Sequence, residues 1–346
     1  MALLRTGSIV IALLLVLCAC GGPAGADGGS GTVRVGSPGS SSDAGLYLAD
    51  SRGYFAALGI TMEYQRFSGG GDLIPLLSTG RLDVGGLSLS SGLVNAVLSG
   101  NDLQLVADKG SYTDGSTPSY GALLVRPDQA NTITGPADLR GRRLAVGTAG
   151  SSLDIAITDY LAKGGLTTND ISITTLGQSE RVIALERGAV DAAFVFEPFL
   201  TQALKRGAGV VLADGGAMAR EQQVAGIVFG GSFTKDHPRR AQDFLSAYLC
   251  GVQDYNAAVR NGVDKDAVLG ILAKATGETV ESLRESIPIG LRSDGALNVA
   301  DIQRTIDGLA AKGLVSGHLP ASKLVSSTYL DNIRSCDEIR KMARNA

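Results

Sequence analysis

The chain has 346 residues, a formal net charge of −3, 44% apolar residues and 19% charged residues. That length suits one large domain or two moderate ones with a buried core, and the slightly acidic balance argues against a nucleic-acid binder, which would carry a basic face and a high pI. Two histidines, His237 and His318, leave little material for a histidine metal site or triad, and 47 glycines without a collagen-like period point to many tight turns.

The first twenty residues read as an address. Arg5 supplies a short positive region, and Ile9 to Leu17 is an unbroken apolar run. It is too short to span about 30 Å of hydrocarbon and fits a signal-peptide core followed by a Gly/Ser/Ala/Asp linker. The segment ends Leu17-Cys18-Ala19-Cys20-Gly21. This resembles a bacterial lipobox, which implies cleavage before Cys20 and acylation of its thiol. Residues 1–19 are then a signal peptide, and 20–31 the lipid anchor and linker. No later apolar segment reaches 18 residues. Cys250 and Cys336 remain as a pair that can form a disulfide in an oxidising compartment or stay as two separate buried thiols.

From residue 32 the pattern alternates strand and helix. Thr32–Val35 reads as a strand, Ser37–Asp43 as a loop, Ala44–Leu58 as one helix and Ile60–Phe67 as a strand. Ser68–Asp72 breaks the chain before a helix over Leu73–Thr79, which Gly80 terminates. Leu82–Leu87 is the next strand, Ser88–Ser91 a loop and Gly92–Leu98 a helix; strands follow at Leu103–Ala107 and Ala122–Val125. The theme repeats with strands at Arg143–Val146, Ile171–Leu176 and Asp191–Val195, and helices at Leu153–Lys163 and Glu180–Arg187. After a strand at Val224–Gly230 the chain turns mainly helical, with Phe244, Tyr248, Val252 and Tyr255 on one stripe of Arg239–Arg260. Such alternation predicts βαβ units and an α/β fold. Leu76–Val84 and Ala184–Ala192 echo each other 108 residues apart, each a helix ending at Gly with an apolar-Asp step into a strand. This favours two similar lobes.

The familiar catalytic signatures are missing: no G-x-S-x-G elbow, P-loop, H-E-x-x-H, C-x-x-C or EF-hand run. His237 and His318 read as surface residues. Gly/Ser-rich loops recur instead between strand ends and helix starts, at 37–43, 68–72, 88–91, 147–152 and 177–179. Open α/β sheets bind ligands outside the carboxyl ends of their strands, where helix N-termini offer free N–H groups. Helix capping alone would use the same residues. Five such loops on two lobes point to a cleft for a small polar molecule, with no cofactor.

Ala44–Ala49 with Arg52–Phe55, Leu58–Ile60, Ser68–Gly70, Gly80–Val84, Ala137–Val146, Ala184–Ala192 and Phe196–Phe199 form an ordered series. It resembles the sulfonate/nitrate/taurine-type and pyrimidine-precursor-type substrate-binding proteins of ABC importers. The resemblance implies a two-lobed type II periplasmic-binding-protein fold with the ligand cleft between lobes. Lobe 1 would comprise 32–121 plus 225–346, and lobe 2 122–224. It further implies a monomer that captures a small ligand by hinge closure and delivers it to an ABC permease, doing no chemistry. The location would be the outer face of a bacterial membrane. The ligand residues carried over are Asp43, Tyr47, Ser68, Ser88, Ser90, Thr148, Ser151, Ser152, Gln178, Phe196 and Glu197. Some pyrimidine-precursor members have a histidine where Asp43 stands, and the proposed loops contain no Arg or Lys. The charge of the ligand stays open, because Asp43 and Glu197 could hold a donor-rich or cationic group. A sensor of the same fold and a pyrimidine-synthase-like enzyme are the other readings; the latter carries a Cys-rich motif that this chain lacks.

Overall fold

The structure is a computed structural model and describes residues 31–67, 70–112, 118–147 and 149–345. The signal peptide, Cys20, Ser68 and Thr148 lie outside the described residues. In chain order the elements are β1 (Gly31–Ser37), α1 (Ala44–Ser51), α2 (Tyr54–Ala57), β2 (Ile60–Arg66), α3 (Leu73–Ser78), β3 (Val84–Ser88), α4 (Ser91–Leu98) and β4 (Leu103–Ser111). There follow β5 (Gly121–Val125), β6 (Arg143–Val146), α5 (Ser152–Ala162), β7 (Ser172–Thr175), α6 (Gln178–Glu186), β8 (Ala192–Phe196), α7 (Phe199–Lys205), β9 (Val210–Asp214) and α8 (Gly215–Met218). The chain closes with β10 (Gln223–Gly230), α9 (Gly231–Asp236), α10 (Pro238–Asn261), α11 (Lys265–Thr276), α12 (Val280–Glu285), α13 (Val299–Ala311) and α14 (Cys336–Asn345).

Two five-stranded sheets organise these elements, in the orders β2-β1-β3-β10-β4 and β7-β6-β8-β5-β9. In the first, β1 runs parallel to β2 and β3, while β10 lies antiparallel between β3 and β4. In the second, β6 runs parallel to β7 and β8, while β5 lies antiparallel between β8 and β9. Each sheet therefore holds, at its fourth position, a strand reached by crossing from the other sheet. The crossings fall between β4 and β5 and between β9 and β10.

Both sheets are covered on both faces, which explains their near-continuous apolar strands. Along β10, Ile227 and Phe229 pack with α1 and α10 on one face, while Val228 packs with α3, α4 and α13 on the other. Along β8, Phe194 joins Leu144 and Val146 on one face, while Ala193 and Val195 join Val182 and Leu185 on the other. The long helix α10 crosses α1 at a glycine pair: a β-carbon on Gly251 would fall 2.1 Å from the Gly45 carbonyl oxygen. Cys250, beside this crossing, is joined to Cys336 in a disulfide that ties α14 to α10, with Cα atoms 5.3 Å apart.

The structure differs from the sequence reading in three places. The single helix expected over 44–58 is two, because Gly53 adopts a left-handed conformation (φ 74°) between them. Strand β4 continues four residues past Ala107 through Asp108, Lys109 and Gly110, whose polarity reads as a strand end although all three are buried. β9 carries exposed Val210 and Val211 at the sheet edge and gives no alternating pattern to recognise.

The 108-residue echo has a physical basis. Gly80 and Gly188 end their helices at φ 68° and 67°, a conformation that glycine adopts without a Cβ penalty. The aspartates that follow do the same work. Asp83 accepts from the Arg34 backbone N–H (2.8 Å) and from its guanidinium (2.9 and 2.7 Å). Asp191 accepts from the Arg143 N–H (2.9 Å) and guanidinium (3.1 and 2.8 Å). In each lobe the turn carboxylate thus locks the helix end to the neighbouring strand, β1 or β6. The Arg143 hydrogen bonds hold the Asp191 carboxyl at about 2, below the ordinary value of about 3.9. A carboxyl depressed in the fold contributes stability above its unfolded value and loses it as pH falls through its folded one. Asp191→Asn should lower the melting temperature by a few degrees at neutral pH, and the gap to wild type should close as pH falls from about 4 towards 2. Calorimetry across that range checks it; a gap that persists unchanged at the acid end would show that the ion pair is not its source.

Candidate functional site

The carboxyl ends of β1, β3 and β4 carry a buried polar cluster built around Asp43. Asp43 is fully buried and Lys109 is 2% exposed. Lys109 Nζ lies 2.9 Å from Asp43 Oδ1 and donates to Ser42 Oγ at 2.6 Å. Ser37 Oγ donates to the same carboxylate oxygen, the Ser40 N–H donates to Oδ2 at 2.9 Å, and Tyr64 Oη approaches Oδ2 at 3.3 Å. Tyr47 and Tyr64 meet edge to face, their hydroxyls 3.0 Å apart. Burial and the Asp43 charge push the Tyr47 phenol up to about 12 and raise Tyr64 further, so both stay protonated at neutral pH. Lys109 reaches the carboxylate by crossing β3 at Gly86, where a β-carbon would fall 2.4 Å from Lys109 Cε.

Asp43 therefore serves the fold of the cleft wall. The Asp43 carboxylate already receives an ammonium, a hydroxyl and an N–H from the protein itself. The Gly/Ser loops themselves contain no Arg or Lys, and the basic residue of this cluster, Lys109, comes from β4.

The other carried-over residues fall into two groups. Ser90 and Ser151 form a bridge between the lobes, flanked by hydrogen bonds from Ser91 N to Gly150 O (2.8 Å) and from Ser152 N to Leu89 O (3.0 Å). Ser90 Oγ caps α4, and Ser152 O accepts from Gln222 at 2.7 Å. These serines join lobe to lobe, next to Ile155, which packs among Ile302, Ile306 and Leu309 of α13. Ser88, at the end of β3, is exposed.

Gln178, Phe196 and Glu197 form the second group, at the ends of α6 and β8. Gln178 Oε1 accepts from the Phe196 N–H at 3.2 Å. The Glu197 carboxylate accepts from Thr201 N–H (3.0 Å) and Oγ1 (2.8 Å), and from the Ile287 N–H across the interlobe gap (3.1 Å). Like Asp43, Glu197 is occupied by protein donors, and it latches β8 to the segment after α12. Its neighbours continue the contact: Gln202 bonds Ser282 at 3.1 Å, and Lys205 pairs with Glu285.

Between the Asp43 and Phe196 groups stands Tyr120, which the sequence reading passed over. It stacks on Tyr112 (centroids 4.8 Å apart) and on Phe196 (5.9 Å). Tyr120 is 4% exposed and its hydroxyl has no hydrogen-bond partner among the described residues. A β-carbon on Gly110 would meet the Tyr120 hydroxyl and Ser42 Cβ at 3.9 Å and Ile289 Cδ1 at 3.5 Å. Ser42, Gly110, Ile289 and Tyr120 thus border one small space where the first crossing strand enters lobe 2. A lone Tyr after a Thr/Ser/Pro stretch gives no sequence signal of this; the unpaired buried hydroxyl does.

A two-lobed α/β architecture with polar residues gathered at facing strand ends is that of the periplasmic-binding proteins. Residues 40–258 match the NMT1/THI5 like family, and the chain belongs to it. An Escherichia coli (strain K12) relative, provisionally named an aliphatic sulfonates-binding protein, is 24% identical over 222 residues. The match spans 62% of this chain and 62% of that relative's length, short of two thirds. Among solved structures, the alkanesulfonate-binding protein SsuA from Xanthomonas axonopodis pv. citri, bound to MOPS, superposes with a TM-score of 0.67 at 22% identity, covering 85% of this chain and 98% of that one. The periplasmic nitrate-binding protein NrtA from Synechocystis PCC 6803 superposes with a TM-score of 0.69 at 15% identity, covering 91% and 89%.

Removing one partner from a buried ion pair leaves an uncompensated charge and costs about 3–5 kcal/mol, whereas replacing both with apolar groups costs far less. Asp43→Asn should therefore destabilise the protein more than the double variant Asp43→Asn/Lys109→Met. Denaturant unfolding of the two variants checks the order; a double variant at least as unstable as the single one contradicts it.

Proposed function

We propose that this chain is an extracytoplasmic solute-binding protein that captures a small organic ligand or oxyanion between its two lobes and delivers it to an ABC import permease. Cys20 would tether it to the membrane by acylation, the protein acting as a monomer and performing no chemistry on its ligand. One observation carries the reading: a buried, unpartnered Tyr120 hydroxyl at the mouth of a crossing strand, facing Ser42 and Gly110. Leaving a buried hydroxyl unbonded costs free energy that a ligand acceptor would recover. The family and the names of the relatives support a binding role, and the two crossings support hinge motion. Among the described residues no helix is long and apolar enough to cross a membrane, so attachment in this reading falls to Cys20.

A ligand present at 100 times its dissociation constant stabilises the bound fold by about 2.7 kcal/mol, and each kcal/mol moves the melting temperature of a protein this size by about 2–4 °C. A thermal-shift screen of the form beginning after the linker, with alkyl and aryl sulfonates, nitrate, taurine, pyrimidines and polyamines, should give hits confined to one chemical class. Tyr120→Phe should leave the ligand-free melting temperature unchanged or slightly higher, and weaken the hit about tenfold. Tight binding by the phenylalanine variant would place the ligand elsewhere. In cells of the source, Cys20→Ser should move the protein from the membrane to the soluble extracytoplasmic fraction; retention in the membrane fraction would count against the lipid anchor.

A further inference from the structure

We infer that Arg181 is the residue that reads the ligand's charge, and that the ligand carries an anionic head group bound on the lobe 2 side of the cleft. The inference rests on the solute-binding reading above and names the ligand class for that site.

Only two basic side chains are buried among the described residues, Lys109 and Arg181. Lys109 is neutralised by Asp43 at 2.9 Å. Arg181, 3% exposed, has no carboxylate within ion-pair distance among the described residues. It stands in the first turn of α6, facing the sheet. Its Nη1 donates to the Phe194 carbonyl of β8, and its Nε contacts the Gly177 carbonyl at 3.4 Å. A β-carbon on Gly147, just after β6, would sit 3.5 Å from its Nη2. The guanidinium thus fills the crevice where β6 and β8 part at their carboxyl ends. Helix α5 leaves β6 towards the Leu144–Val146 face, and α7 leaves β8 towards the Val195–Leu200 face. That divergence is a topological switch point, where open α/β sheets take their ligands.

Two carbonyls orient the fork without cancelling its charge. Burial draws the Arg181 pKa down to about 10, so it remains a cation at neutral pH. A buried cation without a counter-charge is costly, and the other buried basic side chain has its carboxylate, Asp43, at 2.9 Å. At Arg181 the missing partner is the ligand. A guanidinium matches the spread oxygens of a sulfonate, nitrate or carboxylate better than an ammonium does, because it can donate two parallel bonds.

The test compares ethanesulfonate with its uncharged isostere ethyl methyl sulfone, adding nitrate as a small anion and choline as a cation, on ligand-stripped wild type, Arg181→Gln and Arg181→Lys. Titration calorimetry and thermal shift are read together. The expected result is wild-type binding of one or both anions and none of the sulfone or choline. Loss should be about 30-fold or more in Arg181→Gln, and smaller in Arg181→Lys, which keeps the charge and loses the fork. Sulfone bound as tightly as ethanesulfonate, or anion affinity in Arg181→Gln within threefold of wild type, would overturn the inference. Choline or sulfone binding without any anion binding would also overturn it, while leaving solute binding intact; no response to any of the four would remove the inference and withdraw support from the reading beneath it. Should Arg181→Gln fail to fold, the wild-type contrast between sulfonate and sulfone and the Arg181→Lys affinity still decide.

Discussion

The cleft wall of lobe 1 depends on the buried ion pair between Asp43 and Lys109. Its two partners come from opposite sides of the sheet centre: Asp43 from the turn that opens α1, Lys109 from the end of β4, with β3 and β10 between. The lysine must run over Gly86 to make the contact, so β3 can carry no side chain there. Ser37, Ser40, Ser42 and Tyr64 complete the coordination and fix the first loop to the sheet. Buried charge of this kind contributes little net stability and much positional definition when every lone pair is met. Here it defines where α1, Tyr47 and the hydroxyls of the loop stand relative to the crossing strand.

Lobe 2 solves the same topological problem with a different electrostatic outcome. Both lobes share the glycine-terminated helix, the aspartate that clamps an arginine of the neighbouring strand, and a strand borrowed across the junction. Lobe 1 balances its buried cation internally, and lobe 2 leaves its own on backbone carbonyls. The lobes also touch at both margins, through Ser90–Ser151 and α5–α13 on one side and through Glu197–Ile287 on the other. Residues that in isolation look like ligand donors are thus employed in holding the lobes together.

Much of the architecture was legible in the sequence. The alternation of apolar strands with Gly/Ser loops and helices locates nine of the ten described strands, all but β9, and the echo between 76–84 and 184–192 reports the doubled lobe because a left-handed glycine and a clamping aspartate leave a fixed spelling. The site was less legible. Hydroxyl-rich loops stand at strand ends in each sheet, but pattern alone cannot tell a ligand donor from a cap or a lobe contact, since Ser90 and Glu197 satisfy protein groups with the same atoms a ligand would use. Lys109 and Arg181 escaped because charged residues in a strand end and in a helix's first turn read as solvent-facing; only the folded packing shows them buried. Tyr120 escaped because its meaning lies in a missing partner.

The bond between Cys250 and Cys336 encloses the whole stretch from α11 to the start of α14 in a covalent loop. That stretch supplies Ile287 and Ile289, which border the cleft, and α13, on which α5 of lobe 2 rests. A protease that nicked an exposed turn within it would leave both fragments attached through the sulfur bridge, with the cleft border still tethered to the long helix at the centre of lobe 1. The cross-link therefore keeps in place the part of the chain that comes last in sequence and stands first at the cleft.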